Sequence, residues 1–193
     1  QTADLLRNAD TALYAAKADG RGIVSHYEPA MSEKVLARYR QEVELRRAIE
    51  SDDIALVYQP VFDLRSGQIV GIEALVRWRH PDLGMLPPGE FLGIAETTGL
   101  IVPLGQAVLR HACRDARRWR DLAGEQAPAV GINLSARQLQ AASLPEHVRA
   151  ALAEYDLPPA ALEVEIVENA LHLESETLTA VLRELRAIGV SIA

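Results

Sequence analysis

IALVYQPVFDLRSGQIVGIEALVRW, residues 54–78, is the stretch that decides the predicted fold. Two dense apolar segments, Ile54–Phe62 and Ile69–Trp78, flank a five-residue turn at 63–67. A connection this short joins antiparallel strands, because parallel strands need a crossover of a dozen or more residues. The pattern therefore predicts an antiparallel strand pair.

Helical and strand patterns alternate after this pair. The predicted elements are a short helix opened by Pro87-Pro88 and ending near Gly99, a long helix following Pro103, a strand at Ala129–Ser135, a helix capped by Ser143 with Glu146 as a capping box, a strand at Leu162–Val167, a helix ended by Gly189, and a strand beginning at Val190. Such alternation is typical of βαβ units, so the predicted fold class is α/β with a parallel sheet. We expect five strands at most, whereas a closed eight-stranded barrel takes about 250 residues. An edge strand left unpaired at 190–193 predicts that the domain continues past Ala193.

The first 50 residues show a different pattern. We expect a helix at 4–19, a lone strand at 23–27, and a second helix that Ser32 caps and that runs to about Glu50. In this second helix Glu42 is placed to pair with Arg46 four residues later. A solvated connecting helix is the simpler interpretation, and a dedicated partner-binding helix is the alternative.

The composition limits the classes of function. A formal net charge of −7 argues against binding to a nucleic-acid polymer, although local metals or arginines still allow a small anionic ligand. The single Cys113 cannot form an internal disulfide, and no apolar segment is long enough to span a membrane. We therefore predict a cytoplasmic segment without membrane contact, and leave open an anchor upstream. The five histidines show no metal-ligand spacing, and His111 is interpreted as an ordinary surface or groove residue.

Charged residues interrupt one face of the second strand. Alternation places Glu73 and Arg77 on the face opposite the apolar side chains, about 13 Å apart and too far to pair. A buried charge without a partner is costly, so each needs compensation. A metal beside Glu73 and an anionic ligand at Arg77 would supply it. The alternatives are a solvated strand end or separate protein partners.

Further oxygen donors occupy the next strands. Asn133 lies near the carboxyl end of its strand, where α/β folds place ligands, while Ser135 is expected to cap the next helix with Gln138. Glu163, Glu165 and Glu168 follow, and their mutual repulsion favours a bound cation. The alternative is that one or two of them lie in solvent, which explains Glu163 or Glu168 better than Glu165. The donor set Glu73, Asn133 and Glu165 suits Mg²⁺ or Mn²⁺ and not zinc.

Four phrases give the sequence a family resemblance: Tyr58-Gln59-Pro60, Glu73-Ala74-Leu75-Val76-Arg77-Trp78, Ile132-Asn133-Leu134-Ser135 and Glu163-Val164-Glu165-Ile166-Val167-Glu168. In this order and spacing they resemble EAL domains. The resemblance implies an incomplete TIM-like (β/α) barrel with an antiparallel first strand, preceded by a helix–strand remnant and a connecting helix. It also implies a phosphodiesterase that hydrolyses cyclic di-GMP to pGpG with two Mg²⁺ or Mn²⁺ ions.

The resemblance assigns roles by position. Glu73, Asn133 and Glu165 correspond to metal ligands, Gln59 and Arg77 to contacts with the dinucleotide, and Glu73 and Glu168 to catalytic carboxylates. A homodimer through this domain is a further option. The family's aspartate pair and catalytic lysine are expected beyond Ala193, so the two-metal site is only partly present and we expect the chain alone to be inactive. The alternatives are a non-catalytic cyclic di-GMP receptor and, if no nucleotide binds, a protein scaffold.

The phrases Ala9-Asp10, Ala12-Leu13-Tyr14, Ala16-Lys17 and Gly20-Arg21 lie within residues 3–28. With them this segment resembles the last helix and turn of a GGDEF diguanylate cyclase domain. Lys17 and Arg21 fall where that family contacts nucleotide phosphates, and Gly22 replaces its usual asparagine. The predicted organisation is a GGDEF remnant at 1–28, a connecting helix at 29–50 and the front part of an EAL domain at 51–193.

Overall fold

The computed structural model describes residues 2–18, 24, 26–166 and 176–193. Its helices are α1 (Thr2–Ala18), α2 (Pro29–Glu50), α3 (Leu92–Thr98), α4 (Ile101–Ala123), α5 (Ala136–Leu139), α6 (Leu144–Glu154) and α7 (Glu176–Ile188). Its strands are β1 (Ile54–Phe62), β2 (Ile69–His80), β3 (Gly84–Leu86), β4 (Ala129–Leu134), β5 (Leu162–Ile166) and β6 (Ser191–Ile192). Single 3₁₀ turns occupy Pro88–Glu90, Gly124–Gln126 and Pro159–Ala161.

One sheet contains all six of these strands, in the order β1-β2-β4-β5-β6 with β3 paired to β2. The pairs β1–β2 and β2–β3 are antiparallel, and the remaining pairs are parallel. The predicted α/β class and antiparallel first strand are confirmed, and within the described ranges the sheet does not close into a barrel. The limit of five strands was wrong: β3 has only three residues, too few for a periodic signal.

The beginning of the chain departs from prediction in two places. The described part of the expected strand, Val24, His26 and Tyr27, is irregular, because a lone extended segment has no neighbour with which to share backbone hydrogen bonds. Helix α2 begins at Pro29, before Ser32, so Ser32 is not its cap. A proline is favoured in the first helical turn, where its missing N–H needs no partner.

Helix α2 is exposed over much of its length and docks on the core near its end. Leu36, Tyr39 and Val43 are exposed by 49%, 61% and 47%. Leu45 and Ala48 are buried in the core. The predicted Glu42–Arg46 ion pair forms at 3.2 Å. The helix thus combines solvent-facing side chains with side chains that pack in the core.

The central strands present two chemically different faces. Ala74 and Trp78 of β2, Ile132 of β4 and Val164 of β5 are buried in a core that includes Leu104 of α4. The side chains that alternate with them along the strands include the charged and amide groups singled out in the sequence. The apolar face thus anchors the sheet to its helices and leaves the polar face available for a site.

Of the two predicted helix caps in this region, one forms. Ser135 and Gln138 make the reciprocal capping box at the start of α5. Ser143 precedes α6 with helical backbone angles and makes no side-chain capping bond, so the predicted box with Glu146 was wrong. A cap residue normally has an extended backbone, which aims its oxygen at the helix N–H groups. Across the described part of the chain, no helix combines the length and apolarity needed to cross a bilayer.

Candidate active site

The sheet brings Glu73, Asn133 and Glu165 together from three adjacent strands. Glu73 lies opposite Gly131 in the β2–β4 register, and Asn133 lies opposite Glu165 in the β4–β5 register. The Asn133 Nδ2 donates a hydrogen bond of 2.7 Å to the Glu73 Oε1, although the two residues are 60 positions apart. These three residues thus form one cluster of oxygen donors, near the carboxyl ends of β4 and β5 and in the middle of β2.

The hydrogen bond to Glu73 determines the orientation of the Asn133 amide. An ionised carboxylate only accepts hydrogen bonds, so the amide must turn its NH₂ group toward Glu73. The Asn133 Oδ1 is then directed away from Glu73 and remains able to accept or to coordinate. Asn133 itself is exposed, so this oxygen is accessible to a ligand from solvent.

The Glu165 carboxylate is the most perturbed acid of this cluster. Burial raises the pKa of Glu165, and the nearby charges of Glu73 and Glu163 raise it further. Each of these effects disfavours the ionised form of Glu165. A bound cation would counteract the repulsion from Glu73 and Glu163. The charges of Glu73 and Glu163 thus make the surroundings of the Glu165 carboxylate electronegative.

The two predicted substrate contacts lie on the two strands of the first antiparallel pair. Gln59 of β1 lies directly opposite Glu73 in the antiparallel register, so both side chains emerge on the same face. Arg77 lies four residues beyond Glu73, opposite Ala55, and its Nη1 donates to the Val76 carbonyl oxygen at 2.8 Å. The register thus places Gln59 beside the oxygen donors and Arg77 farther along β2.

A cavity of about 350 Å³ opens beside the Asn133 side of this cluster. It lies between the middle of β2, the carboxyl end of β4 and the helices α3 and α4, and its lining is mainly apolar. Its polar lining residues are Glu96, Asn133, Ser135 and Gln138, and Leu75, Pro88, Leu92 and Ile101 contribute apolar surface. Helix α3 ends at Gly99 in the left-handed conformation, and Arg137 donates to the Glu96 carbonyl oxygen near that end. The cavity is large enough for a flat heterocycle.

The donor set of the cluster fits a hard divalent cation. Two carboxylates and one amide oxygen are ligands that Mg²⁺ and Mn²⁺ accept. Among the described residues, no imidazole or thiolate forms a hydrogen bond with Glu73, Asn133 or Glu165. No group of three or more His, Cys, Asp and Glu side chains is arranged for metal binding in the described ranges. The predicted Glu168 lies outside the described residues, as do Val167 and Arg21, and the Lys17 side chain is likewise not described.

Two polar contacts that support the fold were not foreseen from the sequence. His111 was expected to be an ordinary surface or groove residue but is 6% exposed, and its Nε2 lies 2.5 Å from the Asp52 Oδ1 in the loop before β1. Tyr58 donates to the Asp115 Oδ2 at 2.7 Å, which ties β1 to α4 beside Gln59, and burial together with this bond raises the Tyr58 pKa. For His111 a signal existed: it follows Leu104 by seven residues and Val108 by three, spacings that place it on the apolar face of α4.

Comparisons with known proteins agree with this geometry. The sequence model of the EAL domain matches residues 42–193. The cyclic di-GMP phosphodiesterase NbdA of Pseudomonas aeruginosa is 40% identical over 193 residues, covering 100% of this chain and 24% of NbdA. The bifunctional diguanylate cyclase/cyclic di-GMP phosphodiesterase MucR of the same species is 38% identical over 190 residues, covering 98% of this chain and 28% of MucR. The chain thus spans about a quarter of the length of these relatives.

A solved structure extends the comparison to the fold. The PaMucR phosphodiesterase in complex with c-di-GMP superposes with a TM-score of 0.74 at 40% sequence identity. The match covers 79% of this chain and 62% of the PaMucR chain. The fold described above is therefore shared with a solved relative.

Proposed function

The chain belongs to the EAL domain family, and from that membership we propose that it forms the front part of a metal-dependent phosphodiesterase that hydrolyses cyclic di-GMP to pGpG. The observation that carries this proposal is the cluster of Glu73, Asn133 and Glu165, joined by the 2.7 Å bond from Asn133 to Glu73. The names of NbdA and MucR favour an enzyme over a receptor that only binds the dinucleotide.

The cluster would hold a divalent ion, with Mg²⁺ or Mn²⁺ as the proposed cofactor. Glu73 and Glu165 supply negative charge, and Asn133 supplies a neutral oxygen whose direction the hydrogen bond to Glu73 determines. When bound, such ions activate a water nucleophile and stabilise the charge that develops on the phosphate. Glu168 is proposed as the accompanying catalytic carboxylate on the resemblance alone, because it lies outside the described residues.

The dinucleotide would lie across the polar face of the sheet. We assign Gln59 and Arg77 to its phosphodiester groups, since both lie on the strand pair that carries Glu73. Arg77 adds a fixed positive charge and a planar pair of donors that match phosphate oxygens. The cavity beside Asn133 has the size and apolar lining to receive a base. The solved PaMucR phosphodiesterase, which is similar to this chain, is a c-di-GMP complex, and this supports a dinucleotide as the ligand.

The organisation of the chain is proposed as a GGDEF tail at 1–28, a connecting helix at 29–50 and EAL sequence from 51. The family match begins at residue 42, and Leu45 and Ala48 are buried, so the second half of α2 packs as part of the EAL domain. Lys17 and Arg21 are proposed remnants of nucleotide contacts in the GGDEF tail. A homodimer through the EAL domain remains a proposal carried by the resemblance.

Incubation with cyclic di-GMP and Mn²⁺, followed by chromatography for pGpG, tests the activity. We expect turnover from a longer protein that joins this chain to the remainder of an EAL domain, and none from the 193 residues alone, because the proposed second metal site needs the aspartate pair that the resemblance places after Ala193. Absence of pGpG from the longer protein, with cyclic di-GMP still bound in calorimetry, would favour the receptor instead. Steady turnover by the chain alone would show that the catalytic set was placed wrongly.

A further inference from the structure

Gly131 occupies an unusual position for a glycine. It is buried in the middle of β4, between Val130 and Ile132, and its strand partners are Glu73 in β2 and Glu163 in β5. Glycine in a strand interior weakens the strand, because it loses more backbone entropy on folding and has no side chain to pack. A specific requirement must therefore offset this cost.

The requirement is space for the Glu165 carboxylate. A Cβ atom added to Gly131 would overlap the Glu165 Oε1 and would lie 3.3 Å from its Cδ and 3.7 Å from its Cγ. The end of the Glu165 side chain therefore occupies the volume that a Cβ would take at position 131. Backbone conformation is not the reason, because Gly131 does not have the positive φ found at Gly99.

Gly71 shows that this crowding is not common to every glycine of the sheet. It lies in β2, two residues before Glu73 and opposite Ala129, in a strand that pairs with β4. A Cβ added there would meet its nearest atoms, the Ala129 carbonyl oxygen and the Val61 Cβ, at 3.9 Å, which is ordinary van der Waals contact. An alanine therefore fits at position 71 but not at position 131.

We propose that Gly131 is a positioning residue, which keeps open the space in which the Glu165 carboxylate lies across β4 on the side of Glu73. This inference deepens the proposed function, since it rests on Glu165 serving as a ligand of the metal. A side chain at 131 would displace the flexible end of Glu165 and leave the strand backbone in place. The fold would survive, and the carboxylate would leave the oxygen-donor cluster.

Crystal structures of the wild-type chain, Gly131→Ala and Gly71→Ala, grown without metal, test this directly. In Gly131→Ala we expect the Glu165 carboxylate to move by about 1 Å or more, the distance needed to restore van der Waals contact. In Gly71→Ala it should stay in place. An unmoved carboxylate in Gly131→Ala, or an equal movement in both variants, would overturn the proposal.

Titration with Mn²⁺ measures the metal affinity of the site, with the free ion quantified by electron paramagnetic resonance. We expect a Kd about 10- to 100-fold higher for Gly131→Ala than for the wild-type chain, the range typical of residues that orient metal ligands. The midpoint of urea unfolding should change little, which separates positioning from general destabilisation. If the carboxylate moves in Gly131→Ala but the Mn²⁺ affinity equals that of the wild type, Glu165 is not a metal ligand. The role of Gly131 in placing the carboxylate would still be supported by the crystal structures.

Discussion

The amide of Asn133 donates a 2.7 Å hydrogen bond to the carboxylate of Glu73 and thereby joins β4 to β2 at the centre of the site. The bond neutralises no charge, so the negative charge of Glu73 stays available for a cation. It also directs the second polar atom of the amide, Oδ1, away from Glu73. A single contact thus holds two of the proposed metal ligands in place before any ion arrives.

Asn133→Asp tests this contact in the absence of metal. The variant replaces a donor by a second carboxylate facing Glu73, and two like charges about 4 Å apart in a solvated site repel by about 1 kcal/mol. We expect Asn133→Asp to be less stable than Asn133→Ala by that amount in urea unfolding at pH 7 with EDTA. Addition of Mn²⁺ should remove the difference. Equal stability of the two variants in EDTA would contradict the facing arrangement.

Glu73→Gln tests the charge of the proposed ligand while it preserves the local contact. The new amide can still accept the hydrogen bond from Asn133, so the fold should be unchanged. Loss of a charged metal ligand should lower Mn²⁺-dependent hydrolysis by at least about 100-fold in a protein that carries the whole domain. The measurement is the rate of pGpG formation, with circular dichroism as the control for folding. Turnover close to that of the wild type would remove Glu73 from the catalytic set.

Arg77→Lys tests the proposed phosphate contact. Lysine keeps the positive charge but loses the planar pair of donors that binds two phosphate oxygens at once. We expect the affinity for cyclic di-GMP to fall by about tenfold, which is about 1.4 kcal/mol. Calorimetry of wild type and variant provides the measurement, and Arg79→Lys, on an exposed residue of the same strand, is the matched control. An unchanged Kd in Arg77→Lys would assign Arg77 a structural role.

The raised pKa of Glu165 predicts how stability depends on pH without metal. An acid whose pKa is higher in the folded than in the unfolded chain stabilises the fold below its unfolded pKa of 4.5, and that contribution is lost as pH rises through the folded value. We expect the unfolding free energy of Glu165→Gln to exceed that of the wild type by an amount that grows as pH rises above 4.5. Urea unfolding in EDTA over this range measures it. A difference that is constant with pH would contradict the raised pKa.

Asp52 is the residue to change in a test of the loop between α2 and β1. Its Oδ1 lies 2.5 Å from the Nε2 of buried His111, and its φ is positive, at 62°. Asp52→Ala would leave His111 without this partner and place alanine in a left-handed conformation, so we expect a loss of about 1–3 kcal/mol in unfolding free energy. Asp52→Asn is the control, because asparagine tolerates this conformation and can still accept the hydrogen bond. Similar losses in both variants would show that the charge of Asp52, and not the bond itself, matters.

Local patterns in the sequence were sufficient for the outline of the fold. The five-residue turn predicted the antiparallel pair, and alternation along β2 placed Glu73 on the face opposite Trp78. The capping box of Ser135 and Gln138 was also predictable, because it involves residues three positions apart. These features depend on chain geometry over a few residues, which a sequence displays directly.

Contacts between distant segments required the tertiary structure. The same kind of local pattern failed at Ser143, whose backbone angles are set by the turn that precedes α6. Likewise, no periodicity shows which half of α2 docks or that His111 meets Asp52, because both depend on how separate elements pack.

The sequence by itself determined the residue types of the site and the strands that carry them: Glu73 on β2, Asn133 on β4 and Glu165 on β5. Only the tertiary structure decided that the Asn133 amide meets Glu73 and that Glu165 lies over Gly131. The physical reason is strand register. A shift of one residue between β2 and β4 or between β4 and β5 would send these side chains to opposite faces, and register is set by the packing of the whole apolar face against the helices.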